Sequence, residues 1–173
     1  MKKKIFAISG STRLNSANLN LIKAIEKLTA AKLTFNIFTQ LALLPHFNPD
    51  LNGEDIESVV HFKAQLSEAD GVLICTPEYA HGVPGSLKNA IDWTVGTGEF
   101  SQKPTLLITA STDGHFGHQA LLETLRVVEA KNIDELNLLI PFIRTKVSLN
   151  AEIVDQTTAD VLITIMDRLY LSI

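Results

Sequence analysis

The sequence predicts a doubly wound α/β domain, a parallel β-sheet with helices on both faces. Three observations predict it. Short, nearly continuous apolar runs recur along the chain, as expected of strands covered on both sides. Longer segments of helical spacing lie between them, and strand–helix alternation of this kind builds βαβ units. No internal repeat, low-complexity tract or linker interrupts the pattern, so the 173 residues are expected to form one domain over 1–173.

The first apolar run is Ile5 to Ile8, short enough to favour a strand over a helix. Ala17, Leu21, Ala24, Leu28 and Ala31 then repeat at four and three, predicting an amphipathic helix. Leu33 to Phe38 alternates in the manner of an edge strand, and Ile56, Val59, Val60 and Leu66 mark a second helix. Val72 to Cys75 is the third strand, after which Pro84 fits the first turn of a helix running to about Trp93. Leu106 to Ile108 is the fourth strand, and Leu121, Leu122, Leu125 and Val128 form the face of the next helix. Leu136 to Ile140 is the fifth strand. Val161, Leu162, Ile165, Met166 and Leu169 mark a C-terminal helix that Asp155 or Thr157 could cap.

Composition narrows the function. Hydrophobic residues make up 46% and charged residues 20%, ordinary for a folded globular protein. The net charge is -4 and the only basic run is Lys2-Lys3-Lys4, which argues against a nucleic-acid partner. The four apolar residues behind those lysines are too few for a signal peptide, and no stretch approaches the roughly 20 apolar residues that span a bilayer. A lone cysteine, Cys75, excludes an intramolecular disulfide and a Cys-based metal cluster. These features predict a cytoplasmic protein with no membrane partner and no catalytic metal.

In a doubly wound sheet, ligands bind beyond the carboxyl ends of the strands at the topological switch point. Three segments there are unusual. Ser9 to Asn18 follows the first strand with four hydroxyls, two amides and Arg13, and leads into a helix. A helix N-terminus favours an anion, and a guanidinium suits a phosphate. The loop lacks the Gly-Lys-Ser/Thr of a Walker A motif and the Gly-x-Gly-x-x-Gly of a dinucleotide fold, so it suits one terminal phosphomonoester. The alternative is that Ser16 or Asn18 merely caps the helix and Arg13 is solvated. Thr76 to Trp93 follows the third strand, its two prolines and two glycines predicting a rigid turn that a flat ligand can approach closely. Ser111 to His118 follows the fourth, with glycines and backbone donors suited to the polar edge of a ring.

Together these segments resemble the NADPH-dependent FMN reductase family of flavin, quinone, azo and chromate reductases. Gly10, Ser11, Arg13, Ser16 and Asn18 stand in the family register Gly-Ser-x-Arg-x-x-Ser-x-Asn. Pro77 to Tyr79 and Pro84 to Trp93 match its Pro-Glu-Tyr and Pro-Gly-x-Leu-Lys-Asn-Ala-Ile-Asp-Trp motifs, and Leu44 to Asp50 is a weaker match. The resemblance thins beyond about Arg126. It implies a flavodoxin-like, three-layer αβα fold with a five-stranded parallel sheet in order 2-1-3-4-5. It also implies flavin mononucleotide (FMN) as cofactor, NADPH or NADH as co-substrate, and a homodimer or homotetramer. By the same resemblance Ser11, Arg13, Ser16 and Asn18 hold the FMN phosphate, with Ser9 beside them. Pro77, Glu78, Tyr79, His81 and Gly82 line the isoalloxazine, while Ser111, Thr112, Asp113 and Gly114 approach its polar edge or the ribityl chain. The chain departs from the family in two places: many relatives have Asn where Ala80 follows Tyr79, and paired glycines where His118 follows Gly117.

Single residues divide as follows. Cys75 closes a buried strand and reads as core. Glu78 reads as structural, because in flavin chemistry the cofactor carries the hydride and needs no protein base at that step. His81 and His115 could donate to an acceptor or to the nicotinamide, or serve only as surface-loop residues. Tyr79 and Trp93 could cover the ring or pack in a subunit contact. The activity implied is ping-pong turnover from a reduced nicotinamide to a small electron acceptor (flavin, quinone, azo compound or metal oxyanion). The rival is a flavodoxin-like electron-transfer protein that binds FMN without oxidising NAD(P)H; a third possibility is a flavin-free scaffold of the same fold.

Overall fold

The computed structural model describes residues 1–173. Five strands, β1 (Lys3–Ser9), β2 (Leu33–Phe38), β3 (Gly71–Thr76), β4 (Thr105–Ala110) and β5 (Asn137–Ile140), pair in parallel in the order β2-β1-β3-β4-β5. Five helices connect and cover them: α1 (Ala17–Thr29), α2 (Glu57–Glu68), α3 (Gly85–Val95), α4 (His115–Val127) and α5 (Gln156–Ser172). The expected fold class and strand order are both present. No helix is long and apolar enough to cross a membrane.

The pleat sends alternate residues of each strand to opposite faces, and the core divides accordingly. Phe6 and Ile8 of β1 pack with Val72, Ile74 and residues of α2, α3 and α4. Within that layer Phe6, Phe38 and Phe62 stand with ring centroids 5.1–5.8 Å apart in tilted pairs. Ile5 and Ala7 instead meet Leu73, Cys75 and the buried faces of α1 and α5. β3 and β4 are buried at every position, whereas β2 alternates and lies at the edge. That difference explains why the inner strands read as continuous apolar runs and β2 did not.

Several helix faces differ from the expected ones. α1 buries Asn18, Leu21, Ile22, Ala24 and Ile25, while Leu28 is exposed and Ala31 lies beyond the helix end. Val60 and Val161 are exposed, and Phe62 and Thr158 are buried in α2 and α5. Pro84 sits immediately before α3 rather than inside its first turn, its carbonyl accepting from the amides of Leu87 and Lys88. Asp155, not Thr157, caps α5, its carboxylate accepting from both the amide and the hydroxyl of Thr158.

The switch point lies between β1 and β3. The chain leaves β1 through α1 toward β2 on one side, and leaves β3 through α3 toward β4 on the other. Neither connection covers the strand ends there, so a crevice opens above them.

Candidate functional site

The loops after β1, β3 and β4 close around a cavity of about 870 Å³ at this crevice, within the usual range for a small-molecule site. Gly10 sets the first loop. Its amide donates to the Cys75 carbonyl at 2.8 Å, and a Cβ here would stand 2.3 Å from Thr76 Oγ1. Only glycine lets the β1 loop lie this close to the end of β3.

Ser11, Arg13 and Ser16 line the cavity from that loop. Ser16 caps α1, its Oγ accepting from the Asn18 amide at 3.2 Å, and Ser11 Oγ accepts from the Arg13 amide at 3.4 Å. In both, the hydroxyl acts as acceptor toward the loop, which leaves its O–H to donate elsewhere. The amides of Ala17 and Leu19 in the first turn of α1 meet no acceptor in the chain, the usual condition of a helix N-terminus. The Arg13 side chain forms neither an ion pair nor a hydrogen bond.

Asn18 lines the cavity too, but its side chain is engaged within the chain. Its Nδ2 donates to the Ala110 carbonyl at 3.1 Å, and its Oδ1 accepts from Cys75 Sγ at 3.3 Å. The side chain therefore ties α1 to the ends of β3 and β4 beneath the cavity. Cys75 is fully buried and burial pushes its thiol pKa up, so the sulfur stays protonated and donates. Ser9 is also buried, with its hydroxyl donating to the Ser11 carbonyl.

Across the cavity, Pro77, Glu78 and Tyr79 form one wall and Ser111 and Thr112 another. Ser111 Oγ accepts from the Glu78 amide at 3.3 Å, joining the two. Glu78 Oε2 accepts from the Gly117 amide at 2.6 Å in the first turn of α4, where negative charge is favoured. Tyr79 and Gly82 exchange backbone hydrogen bonds around Ala80 (φ 48°) and His81 (φ 57°), a tight turn with both central residues left-handed. His81 stacks on Phe116 at 4.5 Å and lies outside the cavity lining, as does Gly82. Asp113 is exposed and Gly114, at φ 97°, is the buried residue immediately before α4; neither lines the cavity. Trp93 is buried in the core, its Nε1 donating to the Pro45 carbonyl, while Tyr79 is half-exposed at the cavity rim.

One wall has no counterpart among the sequence motifs. Residues after β5, including Phe142, Arg144, Thr145 and Ser148, line the same cavity. The amides of Phe142 and Ile143 donate to the carbonyls of Thr112 and Ser111, which ties this segment to the loop after β4 beyond the strand ends. No periodicity marks it. Only a second arginine amid hydroxyls, Arg144-Thr145 and Ser148, could have flagged it. No group of three His, Cys, Asp or Glu residues stands close enough together to hold a metal ion.

The donor set fits an anionic, flat-ringed ligand: two free hydroxyls, unpaired helix amides and a guanidinium at one end, with facing loops at the other. Known proteins agree. Residues 3–143 match the NADPH-dependent FMN reductase family. A 2-hydroxy-1,4-benzoquinone reductase from Burkholderia sp. is 32% identical over 97% of this chain and 94% of its own length. A quinone reductase of Escherichia coli K12 is 31% identical over 92% of this chain and 89% of its own. Among solved structures, FerB, a flavoenzyme NAD(P)H:(acceptor) oxidoreductase from Paracoccus denitrificans, superposes with a TM-score of 0.80 at 28% identity, covering 97% of this chain and 95% of that one. With sequence, sheet order and crevice in agreement, the chain belongs to the NADPH-dependent FMN reductase family.

Proposed function

We propose that this protein passes electrons from NADPH or NADH, by way of FMN held in the switch-point cavity, to a small acceptor of the quinone class. The observation that carries the proposal is the convergence of Ser11, Arg13, Ser16 and the open amides of α1 on one end of that cavity. There they would grip a phosphomonoester through neutral donors, the helix dipole and one charge-assisted fork.

When bound, FMN supplies the redox chemistry, accepting two electrons from the nicotinamide and yielding them to the acceptor. The chain's own residues position and shield. Pro77, Glu78 and Tyr79 on one side, and Ser111 and Thr112 on the other, would flank the ring. The free Ser111 hydroxyl hydrogen is available to its polar edge. Glu78 acts through its bond to Gly117, fixing the wall rather than moving protons. Asn18 and Ser9 serve the same pocket from below as braces of its floor and loop, and Gly114 sets the angle at which the β4 loop enters α4. Gly82 closes the turn behind Tyr79, His81 rests on Phe116, and Asp113 stays in solvent at the edge.

We also propose a homodimer or homotetramer, supported by the exposed Tyr79, Phe142 and Leu149 on the loops around the crevice and the exposed Phe116 in the first turn of α4. A cytoplasmic location accords with a lone, reduced cysteine.

Anaerobic stopped-flow mixing of the FMN-loaded protein with NADPH and with NADH tests the function. Rapid loss of the oxidised-flavin absorbance, followed by its return on adding a benzoquinone, is expected. A flavin that stays oxidised with both nicotinamides would leave only an electron carrier.

A further inference from the structure

Arg144 reaches the same cavity as Arg13 from the far end of the chain. Building on the FMN reading above, we propose that Arg144 is a second cation for the flavin phosphate, completing a two-arginine clamp on the phosphomonoester.

Three observations converge on it. First, neither guanidinium has a partner within the protein, in contrast to Arg126, which pairs with Glu123 and Asp134. The only carboxylate lining the cavity is Glu78, and the Gly117 amide already holds it. The cavity is thus locally positive although the chain carries a net charge of -4. Second, a phosphomonoester bears about -1.5 to -2 charges at neutral pH, more than Arg13 alone neutralises.

Third, the backbone beneath Arg144 is held in place. Ile143 and Val147 on either side are buried in the α1/α5 layer. The Ile143 amide donates to the Ser111 carbonyl. Farther along, Asn20 Nδ2 reaches the Ser148 carbonyl at 3.4 Å, and Lys27 Nζ reaches the carbonyls of Asn150 and Ala151 at 3.1 and 3.2 Å. The segment that presents Arg144 is therefore tied to α1, the helix whose N-terminus faces the anion. A fixed backbone spares the cost of ordering the loop on binding, and the planar guanidinium fork loses less freedom per hydrogen bond than an ammonium would.

The test titrates the full-length chain, freed of flavin, with FMN and separately with riboflavin, following flavin fluorescence. Arg144→Gln is expected to raise the Kd for FMN about 10-fold, the effect of one charge-assisted hydrogen bond, and to leave riboflavin binding unchanged. It should also flatten the dependence of FMN affinity on salt, and Arg144→Lys should restore part of the loss. Equal FMN affinity in wild type and Arg144→Gln would overturn the assignment. If that equality came with a raised KM for NADPH but not for NADH, the arginine would serve the nicotinamide 2′-phosphate instead, and the flavin clamp would again be wrong. Failure of the wild type itself to bind FMN would remove the underlying functional reading, an outcome distinct from either. Arg144 is exposed, and an unchanged circular dichroism spectrum in the variants verifies that folding is intact.

Discussion

Asn18 and Ala80 show how single residues shape the site through the backbone around them. Asn18 stands in the family's phosphate-loop register, yet its amide braces Ala110 and Cys75 under the cavity. A linear motif records that a residue is needed and not which way it points. Ala80 illustrates the converse. Many relatives have Asn after Pro-Glu-Tyr, and the backbone explains why: Ala80 is left-handed, a conformation that costs most L-residues roughly 1 kcal/mol and Asn less. Ala80→Asn is therefore expected to stabilise the protein by about 0.5 kcal/mol, read as a higher urea midpoint at an unchanged m-value. A lower midpoint would show that Ala80 makes contacts the turn depends on.

Elements place the site through the ends of strands, and the least tolerant junction is Gly10 against Thr76. A methyl group at Gly10 would enter the Thr76 side chain and come within 3.0 Å of its Cα, so either the β1 loop or the end of β3 must shift. Gly10→Ala is expected to cost about 1–3 kcal/mol of stability, as overpacking does. Because the displaced loop carries Ser11 and Arg13, FMN affinity should fall as well. Denaturant unfolding and flavin titration measure the two effects, and unchanged affinity would mean that the loop adapts without moving its donors. The inner strands are legible in the sequence because burial on both faces leaves uninterrupted apolar runs, and the edge strand β2 is legible by its alternation, residue for residue. Helix faces were less legible. In α1 a hydrophobic period discards the polar Asn18, which is buried, and includes Leu28, which is exposed. The wall after β5 has no local signature in the sequence because it is built by long-range backbone hydrogen bonds from Phe142 and Ile143 to the β4 loop.

Across the whole molecule, the site loops and the sheet are coupled through His118, which stands where many relatives have a glycine. It is buried between β4 and β5, with Nδ1 2.8 Å from Thr109 Oγ1 and Nε2 3.2 Å from Asn137 Oδ1. Asn137 Nδ2 donates to the carbonyls of Ile133 and Asp134, which identifies Oδ1 as the acceptor facing the ring. Nε2 therefore carries the proton, and Nδ1 accepts from the Thr109 hydroxyl. Burial lowers the His118 pKa, partly opposed by the Asn137 hydrogen bond and reinforced by the charge of His115. The sign of the pH dependence follows. With the folded value below the unfolded one of about 6.5, the unfolded chain binds the proton first as pH falls. Stability is thus complete above pH 6.5 and declines below it until the folded value is reached, by at most about 1.4 kcal/mol per pH unit for one proton. His118→Gln should lose that part of the slope between pH 7 and pH 5, whatever it costs at neutral pH. Thermal unfolding of both proteins across this range decides the matter, and parallel curves would show that His118 titrates alike in the folded and unfolded chains.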